Sequence, residues 1–200
     1  IKAHGKCEKL MPLLHLPIQS GSNKVLKNMN RGHSIEEYLR IVDKLKNTKP
    51  NIKFSSDFII AYPEETENDF KETLSLMNKV GFINSYSFIY SARPGTPAAN
   101  IKKINDIEAK ERLKEFQNLA DFKKKEYRKT LLNSKTNVLF ENKIQNENKY
   151  FGRDEYQNSV IATSDKDLTG MIETVSITQF NHNTLFGEIF SNHKKGQHVA

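Results

Sequence analysis

Short apolar runs and amphipathic segments alternate through the first hundred residues. The runs at 13–16, 53–61 and 85–90 have the length and apolar content of strands buried in a parallel sheet. The segments at 23–30, 34–47 and 66–81 separate these runs and predict helices. This order predicts a βαβαβ arrangement. Three strands cannot close a barrel, so we interpret this part as half of a larger α/β fold.

Local signals mark where two of these helices begin and where one ends. Ser34 is followed three residues later by Glu37, which is a capping-box pattern. Thr66 stands before an amphipathic segment and predicts a second N-terminal cap. Gly81 follows the last apolar residue of that segment, where glycine ends helices most easily.

Two further patterns follow the predicted sheet. Residues 106–132 are charged and amphipathic and predict one long connecting helix. Strand-like pieces at 137–141, 159–162, 173–179 and 184–189, separated by glycines, then predict a small β-barrel. We therefore divide the chain into a domain at 1–134, a β-barrel domain at 135–190 and a flexible tail at 191–200.

Positive charge is concentrated in the first domain. The net charge is +7, but residues 1–134 carry 24 Lys and Arg against 16 Asp and Glu, whereas residues 135–200 carry 7 against 8. A basic body predicts a polyanionic partner such as RNA. The alternative is that lysine-rich helices are simply solvated.

The cysteine content excludes several classes of site. Cys7 is the single cysteine, so the chain forms no internal disulfide and has too few thiolates for a zinc or iron–sulfur site. Its longest apolar run is too short to span a bilayer, and no secretion signal opens the chain. These features predict a cytoplasmic protein without a membrane partner.

Four motifs carry a resemblance to a known family. They are LHLPIQSGS at 14–22, MNRGHS at 29–34, SSDFIIAYPEET at 55–66 and SARPGTPAA at 91–99. In order and spacing they resemble the radical S-adenosylmethionine methylthiotransferases. They are most similar to the branch that adds a 2-methylthio group to isopentenyl-adenosine beside the tRNA anticodon.

The resemblance covers about residues 10–190 and implies a fold. It implies an α/β domain that is the second half of a partial TIM-like barrel, then a long helix, then an all-β barrel similar to the RNA-binding TRAM domain. The family's cofactors are S-adenosylmethionine and iron–sulfur clusters, one of them on a CxxxCxxC loop that this sequence lacks. We expect the C-terminal portion of a tRNA-binding transferase, with a separate chain as a possible source of the missing parts.

The resemblance assigns cofactor contacts to the ends of the predicted strands. Gln19 and Ser20 fit ribose hydroxyls, although a turn that caps the next helix is an equally open interpretation. Asp57 falls within an apolar strand, where a buried carboxylate is either paired structurally or directed at the cofactor. We expect His15 to be an oriented core histidine. Arg93 could hold a carboxylate or an RNA phosphate, or form a structural salt bridge.

Two further sets of residues qualify these assignments. Arg31 could also hold a carboxylate or an RNA phosphate, although the sequence supports this role less than it does for Arg93. The family's second strand-end loop carries glycine where this sequence has Ala61 and Glu64, so we expect weaker cofactor binding, and strain at Glu64 if its φ is positive.

The β-barrel segment offers its own candidates for RNA contact. Tyr150, Phe151, Arg153 and Tyr156 lie around Gly152, and aromatic rings beside a cation can stack on bases and contact phosphate. Of these we select Tyr150, Arg153 and Tyr156 as the candidates for RNA contact. Packing in the barrel core is the alternative for these rings.

Three alternatives to the main function stay open. One is a non-catalytic RNA-binding remnant of a split or decayed gene. The others are sibling methylthiotransferases that act on threonylcarbamoyl-adenosine in tRNA or on a ribosomal protein. The ribosomal-protein branch tends to carry an acid where this chain has Arg93, which argues against that alternative.

Overall fold

A computed structural model describes residues 1–190 of the chain. The predicted flexible tail at 191–200 lies outside these residues. The contacts divide the chain into two compact units, Ile1–Lys125 and a second unit that begins at Glu126. The division lies within the long helix rather than at residue 134. This is because Leu131 packs against the β-barrel core and Arg128 donates hydrogen bonds to carbonyls of Asn181 and Asn183.

The first unit is built on three parallel strands. Strands β1 (Leu13–His15), β2 (Lys53–Ile60) and β3 (Asn84–Ile89) form a sheet in the order β1-β2-β3. Both connections run through helices, as parallel pairing requires. The helices are α1 (Lys2–Lys6), α2 (Asn23–Asn28), α3 (Ile35–Thr48), α4 (Glu67–Val80) and α5 (Asp106–Thr130), with a 3₁₀ turn at Pro97–Asn100.

The helices cover one face of this sheet and leave the other bare. Phe54, Phe58 and Ile60 of β2 point to the covered face and are fully buried in a core with residues of α3, α4 and α5. On the opposite face, Tyr86 and Phe88 of β3 remain 54% and 59% exposed. A strand alternates its side chains between faces, so the bare face carries every second residue of each strand.

The predicted caps are present. Ser34 and Glu37 form a complete capping box at the start of α3, and Thr66 forms another with Asp69 at the start of α4. Gly81 ends α4 in the left-handed conformation with φ 74°. These signals depend only on side chains and backbone groups within a few residues of one another, which is why the sequence revealed them.

The second unit is a closed five-stranded β-barrel, as the glycine-punctuated pattern predicted. Its strands are β4 (Lys135–Lys143), β5 (Lys149–Asp154), β6 (Ser159–Thr163), β7 (Ile172–Phe180) and β8 (Thr184–Ile189). They follow the order β4-β5-β6-β8-β7, and β6 and β8 are the parallel pair. The sequence interpretation missed β5.

Two glycines allow the barrel strands to approach closely. A Cβ atom at Gly152 would collide with the Leu139 carbonyl oxygen, and one at Gly187 would collide with the Ser176 carbonyl oxygen. Both glycines therefore occupy positions where a side chain cannot fit without backbone movement.

Candidate functional site

The loops that follow the three parallel strands border one cavity in the first unit. The cavity has a volume of about 750 Å³, within the usual range for ligand pockets. Gln19, Asp57 and Arg93 all line it, so the structure brings together three of the four predicted cofactor-binding residues. Its remaining walls come from Asn28, Met29, Asn30, Arg31, Ile59, Tyr62, Phe88, Ile89, Tyr90, Ser91, Thr96, Pro97 and Ala98.

Gln19 is held against β2 through its backbone. Its amide donates to the Asp57 carbonyl at 3.0 Å, and its own carbonyl accepts from the Ile59 amide at 2.9 Å. It adopts the left-handed conformation with φ 78°, which is unusual for a residue other than glycine. This backbone geometry places Gln19 in the cavity wall.

Ser20 does not reach the cavity. It is fully buried, and its hydroxyl contacts the Thr73 hydroxyl at 3.4 Å and accepts a hydrogen bond from the Ser22 amide. Ser22 is the N-cap of α2, since its hydroxyl accepts from the Val25 amide. The helix-capping interpretation therefore holds for this loop, while the position of Ser20 gives no support to a ribose contact.

Asp57 lies on the bare face of the sheet with His15. Its carboxylate oxygen is 3.3 Å from His15 Nε2, and His15 Nδ1 is 2.9 Å from the Ser55 hydroxyl. The Asp57 side chain is about one-third exposed, so its carboxylate is paired but not buried. The expectation of a core histidine was wrong, because His15 is exposed and lies on the face of the sheet opposite the helices.

The second loop contains the two departures from the family pattern. Ala61 and Glu64 have φ values of 58° and 64°, in the region that glycine adopts most easily. Glu65 accepts a hydrogen bond from the Ala61 amide at 3.1 Å, and Arg112 of α5 donates to the same carboxylate at 2.9 Å. Burial raises the pKa of Glu65, against the effect of these hydrogen bonds.

A tyrosine pair lies beneath the cavity. The Tyr62 hydroxyl donates to the Asn28 carbonyl at 3.0 Å and so ties the second loop to the end of α2. The Tyr62 and Tyr90 rings meet edge to face at 4.9 Å. The Tyr90 hydroxyl is buried and has no hydrogen-bond partner within residues 1–190. A buried, unpaired hydroxyl in a cavity wall is a group that a polar ligand can satisfy.

Arg93 stands at the start of a tight turn at the cavity rim. Its carbonyl accepts from the Thr96 amide at 3.2 Å and from the Thr96 hydroxyl at 2.8 Å. Gly95 has φ 81°, and Pro94 precedes it, the arrangement of a type II turn. The Arg93 side chain is exposed and forms no ion pair with any residue from 1 to 190, so the alternative of a structural salt bridge finds no support there.

The β-barrel residues predicted to contact RNA are not brought together. Tyr150 is 3% exposed and packs inside the barrel, so its ring is unavailable for stacking on a base. Arg153 is exposed, lies 5.5 Å from the Phe151 ring and pairs with Glu141 at 3.1 Å. Strand alternation explains this split, because residues 151 and 153 point outward where 150 points inward.

Tyr156 lies outside the strands, in the turn after β5. Its ring is 6.4 Å from that of Tyr127 and is partly buried. The core-packing alternative thus describes Tyr150, whereas Phe151 and Arg153 point outward from β5.

The residues present do not fit an iron–sulfur cluster. Cys7 is the single cysteine of the sequence, and residues 1–190 contain no group of three or more His, Cys, Asp or Glu side chains placed to hold a metal ion. No helix in that part of the chain is long and apolar enough to cross a membrane.

The polar side chains that line the cavity, in contrast, suit S-adenosylmethionine. Asp57 offers a carboxylate to its cationic end. Gln19 offers an amide, and Tyr90 offers an unsatisfied hydroxyl. These groups suit the polar atoms of an adenosyl ligand.

Comparison with known proteins identifies close relatives. Residues 3–77 match the radical SAM superfamily model. The chain is 49% identical over 195 residues to the tRNA-2-methylthio-N(6)-dimethylallyladenosine synthase of Pelagibacter ubique strain HTCC1062, covering 98% of this chain and 44% of the relative.

Synthases of the same name from other bacteria are similar as well. Those of Jannaschia sp. strain CCS1 and Wolbachia pipientis wMel are 41% and 43% identical, and each alignment covers 94% of this chain. The two alignments cover 41% and 44% of the respective relatives, so the chain spans less than half the length of the proteins it matches. The resemblance inferred from the four motifs is confirmed.

Proposed function

Since this chain is a relative, along nearly its whole length, of the radical SAM tRNA methylthiotransferases, we propose that it forms part of such an enzyme. In the complete enzyme, a 2-methylthio group would be added to N6-isopentenyladenosine of tRNA. This chain contributes part of the S-adenosylmethionine site and the tRNA-binding domain. The observation that carries the proposal is the single cavity at which the loops after β1, β2 and β3 meet.

The cofactor would lie against the bare face of the sheet. Gln19 and Tyr90 would bond its polar adenosyl atoms, and Asp57, held by His15, would face its positively charged methionyl end. When bound, S-adenosylmethionine supplies radical chemistry and the methyl group. Because the cluster ligands are not in this chain, a separate polypeptide or segment would provide them.

The closed β-barrel would be the RNA-binding module, similar to a TRAM domain. Its outward Phe151 and Arg153 combine a ring and a cation on one strand, which suits stacking on a base and contact with a phosphate. Tyr156 would contribute from the adjoining turn. A cytoplasmic location follows from a tRNA substrate.

The test replaces the matching segment of the Pelagibacter ubique relative with this chain. The chimera is expressed in a bacterium that lacks its own synthase, and 2-methylthio-N6-isopentenyladenosine is measured in its tRNA by mass spectrometry. We expect the modified nucleoside to accumulate. Asp57→Asn should abolish it, whereas Asp43→Asn, which changes an exposed carboxylate on α3, should not.

A folded chimera that leaves the tRNA unmodified would contradict the proposal. It would favour the second candidate, an RNA-binding chain without catalysis. The left-handed φ values of Ala61 and Glu64 are the observation behind that candidate, since these side chains occupy backbone positions that glycine fits better.

A further inference from the structure

Two arginines at the cavity rim are left without partners. Arg31 and Arg93 both line the cavity, and both are exposed. Neither guanidinium forms a hydrogen bond or ion pair with another residue between 1 and 190, whereas Arg112 in the same unit pairs with Glu65 and Glu108. Two unpaired cations on one rim form a site of positive potential open to solvent.

The backbone fixes both arginines in place. After α2, the Asn30 amide donates to the Lys27 carbonyl and the Arg31 amide donates to the Leu26 carbonyl, each at 2.9 Å, with Asn30 at φ 56°. This is a Schellman motif, and it holds Arg31 immediately beyond the helix end. Arg93 is held at the first position of its Pro-Gly turn. Because the backbone is already ordered at both positions, an anion that binds there needs to order only the two side chains.

Charge decides which anion suits this rim. S-adenosylmethionine carries a sulfonium and an ammonium against a single carboxylate, so it is net positive and would be repelled by two guanidinium groups. A phosphodiester is net negative, and the planar guanidinium binds phosphate oxygens in pairs. Elsewhere in the cavity, the Asp57 carboxylate supplies a negative charge that attracts the cationic cofactor.

We propose that Arg31 and Arg93 together bind the backbone phosphates beside the target nucleotide of a single-stranded RNA. They would thereby hold its base over the cavity floor formed by Tyr62 and Tyr90. This inference rests on the proposed function for the identity of the RNA. The arginines act as positioning residues and take no part in the chemistry.

The test measures binding of the full chain to an anticodon stem–loop RNA by fluorescence anisotropy over a series of salt concentrations. We expect Arg31→Gln and Arg93→Gln each to weaken binding roughly tenfold. Each should also lower the slope of log affinity against log salt by about 0.7–0.9, the loss of one phosphate contact. Arg40→Gln, an exposed arginine on α3 that does not line the cavity, is the matched control and should leave the slope unchanged.

A second RNA locates the contact. In this probe, neutral methylphosphonates replace the phosphates that flank the target adenosine. Wild-type chain should bind it as weakly as the Arg31→Gln/Arg93→Gln variant binds the natural RNA, and that variant should not distinguish the two RNAs. If the methylphosphonates weaken the binding of wild type and of the double variant by the same factor, the arginines lie away from these phosphates. That result would overturn the inference.

Other outcomes separate this inference from the proposed function. If the salt slope is unchanged while the affinity of the chimera for S-adenosylmethionine falls in Arg93→Gln, the arginine holds the cofactor carboxylate and the inference is wrong. If all variants bind the RNA with wild-type affinity, this inference is wrong but the proposed function is unaffected. If the wild-type chain binds no RNA, the inference fails together with the RNA-binding part of the proposed function.

Discussion

Gln19, Ala61 and Glu64 share an unusual backbone conformation, since each is a residue other than glycine with a positive φ. They lie in the loops after β1 and β2, where the chain turns at the cavity. The left-handed conformation costs a residue with a Cβ atom roughly 1 kcal/mol relative to glycine. The loops therefore hold local strain, which the surrounding hydrogen bonds maintain.

Glycine at position 64 should stabilise the protein. The Glu64 side chain is exposed and forms no hydrogen bond or ion pair with residues 1–190, and its carbonyl would still accept from Lys24 after the change. We expect Glu64→Gly to raise the free energy of unfolding by about 0.5 kcal/mol, because relief of strain exceeds the added entropy of the unfolded chain. Urea denaturation measures this difference.

Two control variants test whether relief of backbone strain at position 64 causes the added stability. Glu72→Gly places glycine in the exposed interior of α4 and should lower the free energy of unfolding by about 1 kcal/mol. Ala61→Gly should be nearly neutral, because the buried Ala61 methyl group packs against the core and its loss offsets the strain relief. A destabilised Glu64→Gly protein would show that the left-handed conformation carries no such strain.

Asp69 joins the starts of two helices. Its carboxylate accepts from the Ser22 hydroxyl at 2.6 Å, from the Thr66 amide at 2.8 Å and hydroxyl at 2.6 Å, and from Lys24 at 3.1 Å. Ser22 caps α2 and Thr66 caps α4. One carboxylate therefore fixes the loop after β1 relative to the loop after β2, which places both beside the cavity.

The ionisation of Asp69 should make stability depend on acidity. Burial alone would raise the pKa of Asp69, but the hydrogen bonds from Ser22, Thr66 and Lys24 outweigh it and hold that pKa well below 3.8, its ordinary value. The folded protein thus favours the charged carboxylate. This contribution is complete above about pH 4 and decreases as the pH falls toward the folded-state pKa.

We expect Asp69→Asn to lower the free energy of unfolding at pH 7 by about 1–3 kcal/mol, because the amide nitrogen cannot accept the hydrogen bonds that a carboxylate oxygen does. The stability of the variant should also fall less steeply than that of wild type below about pH 4. Asp43→Asn, on the exposed face of α3, is the control and should leave both quantities close to wild type. Parallel acid profiles for wild type and Asp69→Asn would refute this role for the carboxylate.

Much of the first unit could be predicted because its signals are local. The caps at Ser34, Thr66 and Gly81 and the three apolar runs correspond to observed elements. His15 was misplaced because burial depends on which face the helices cover, and the residues of β1 do not encode that choice. Its pairing with Asp57 depends on strand register, which is also a tertiary property.

In the second unit, the missed strand β5 explains the error at Tyr150. Once residues 149–154 are a strand, alternation assigns Tyr150 to the interior and Phe151 to the surface. Arg31 received less weight than Arg93 because a single sequence does not show that the turns at these two residues border one cavity.

The two compact units should unfold as separate cooperative structures, since each has its own apolar core. Gly187→Ala would drive a methyl group into the Ser176 carbonyl and should destabilise the β-barrel by roughly 2 kcal/mol or more. Hydrogen exchange followed by mass spectrometry should show faster exchange in peptides from residues 135–190, with little change in residues 1–100.

Gly32→Ala is the matched control for this variant. A Cβ atom at Gly32 would meet nothing within 4 Å, so the exchange of both units should stay close to wild type. Equal loss of protection across residues 1–190 in Gly187→Ala would show instead that the two units unfold as one.

Strand β8 is the element that closes the barrel, because it pairs with β6 on one side and with β7 on the other. During translation, β4, β5, β6 and β7 leave the ribosome first, and β6 and β7 remain open edges until Thr184–Ile189 has emerged. At about 5–20 residues per second this interval lasts on the order of seconds, long enough for exposed edges to pair with other chains. The order of synthesis thus leaves two strand edges of the nascent barrel unpaired until its last strand arrives.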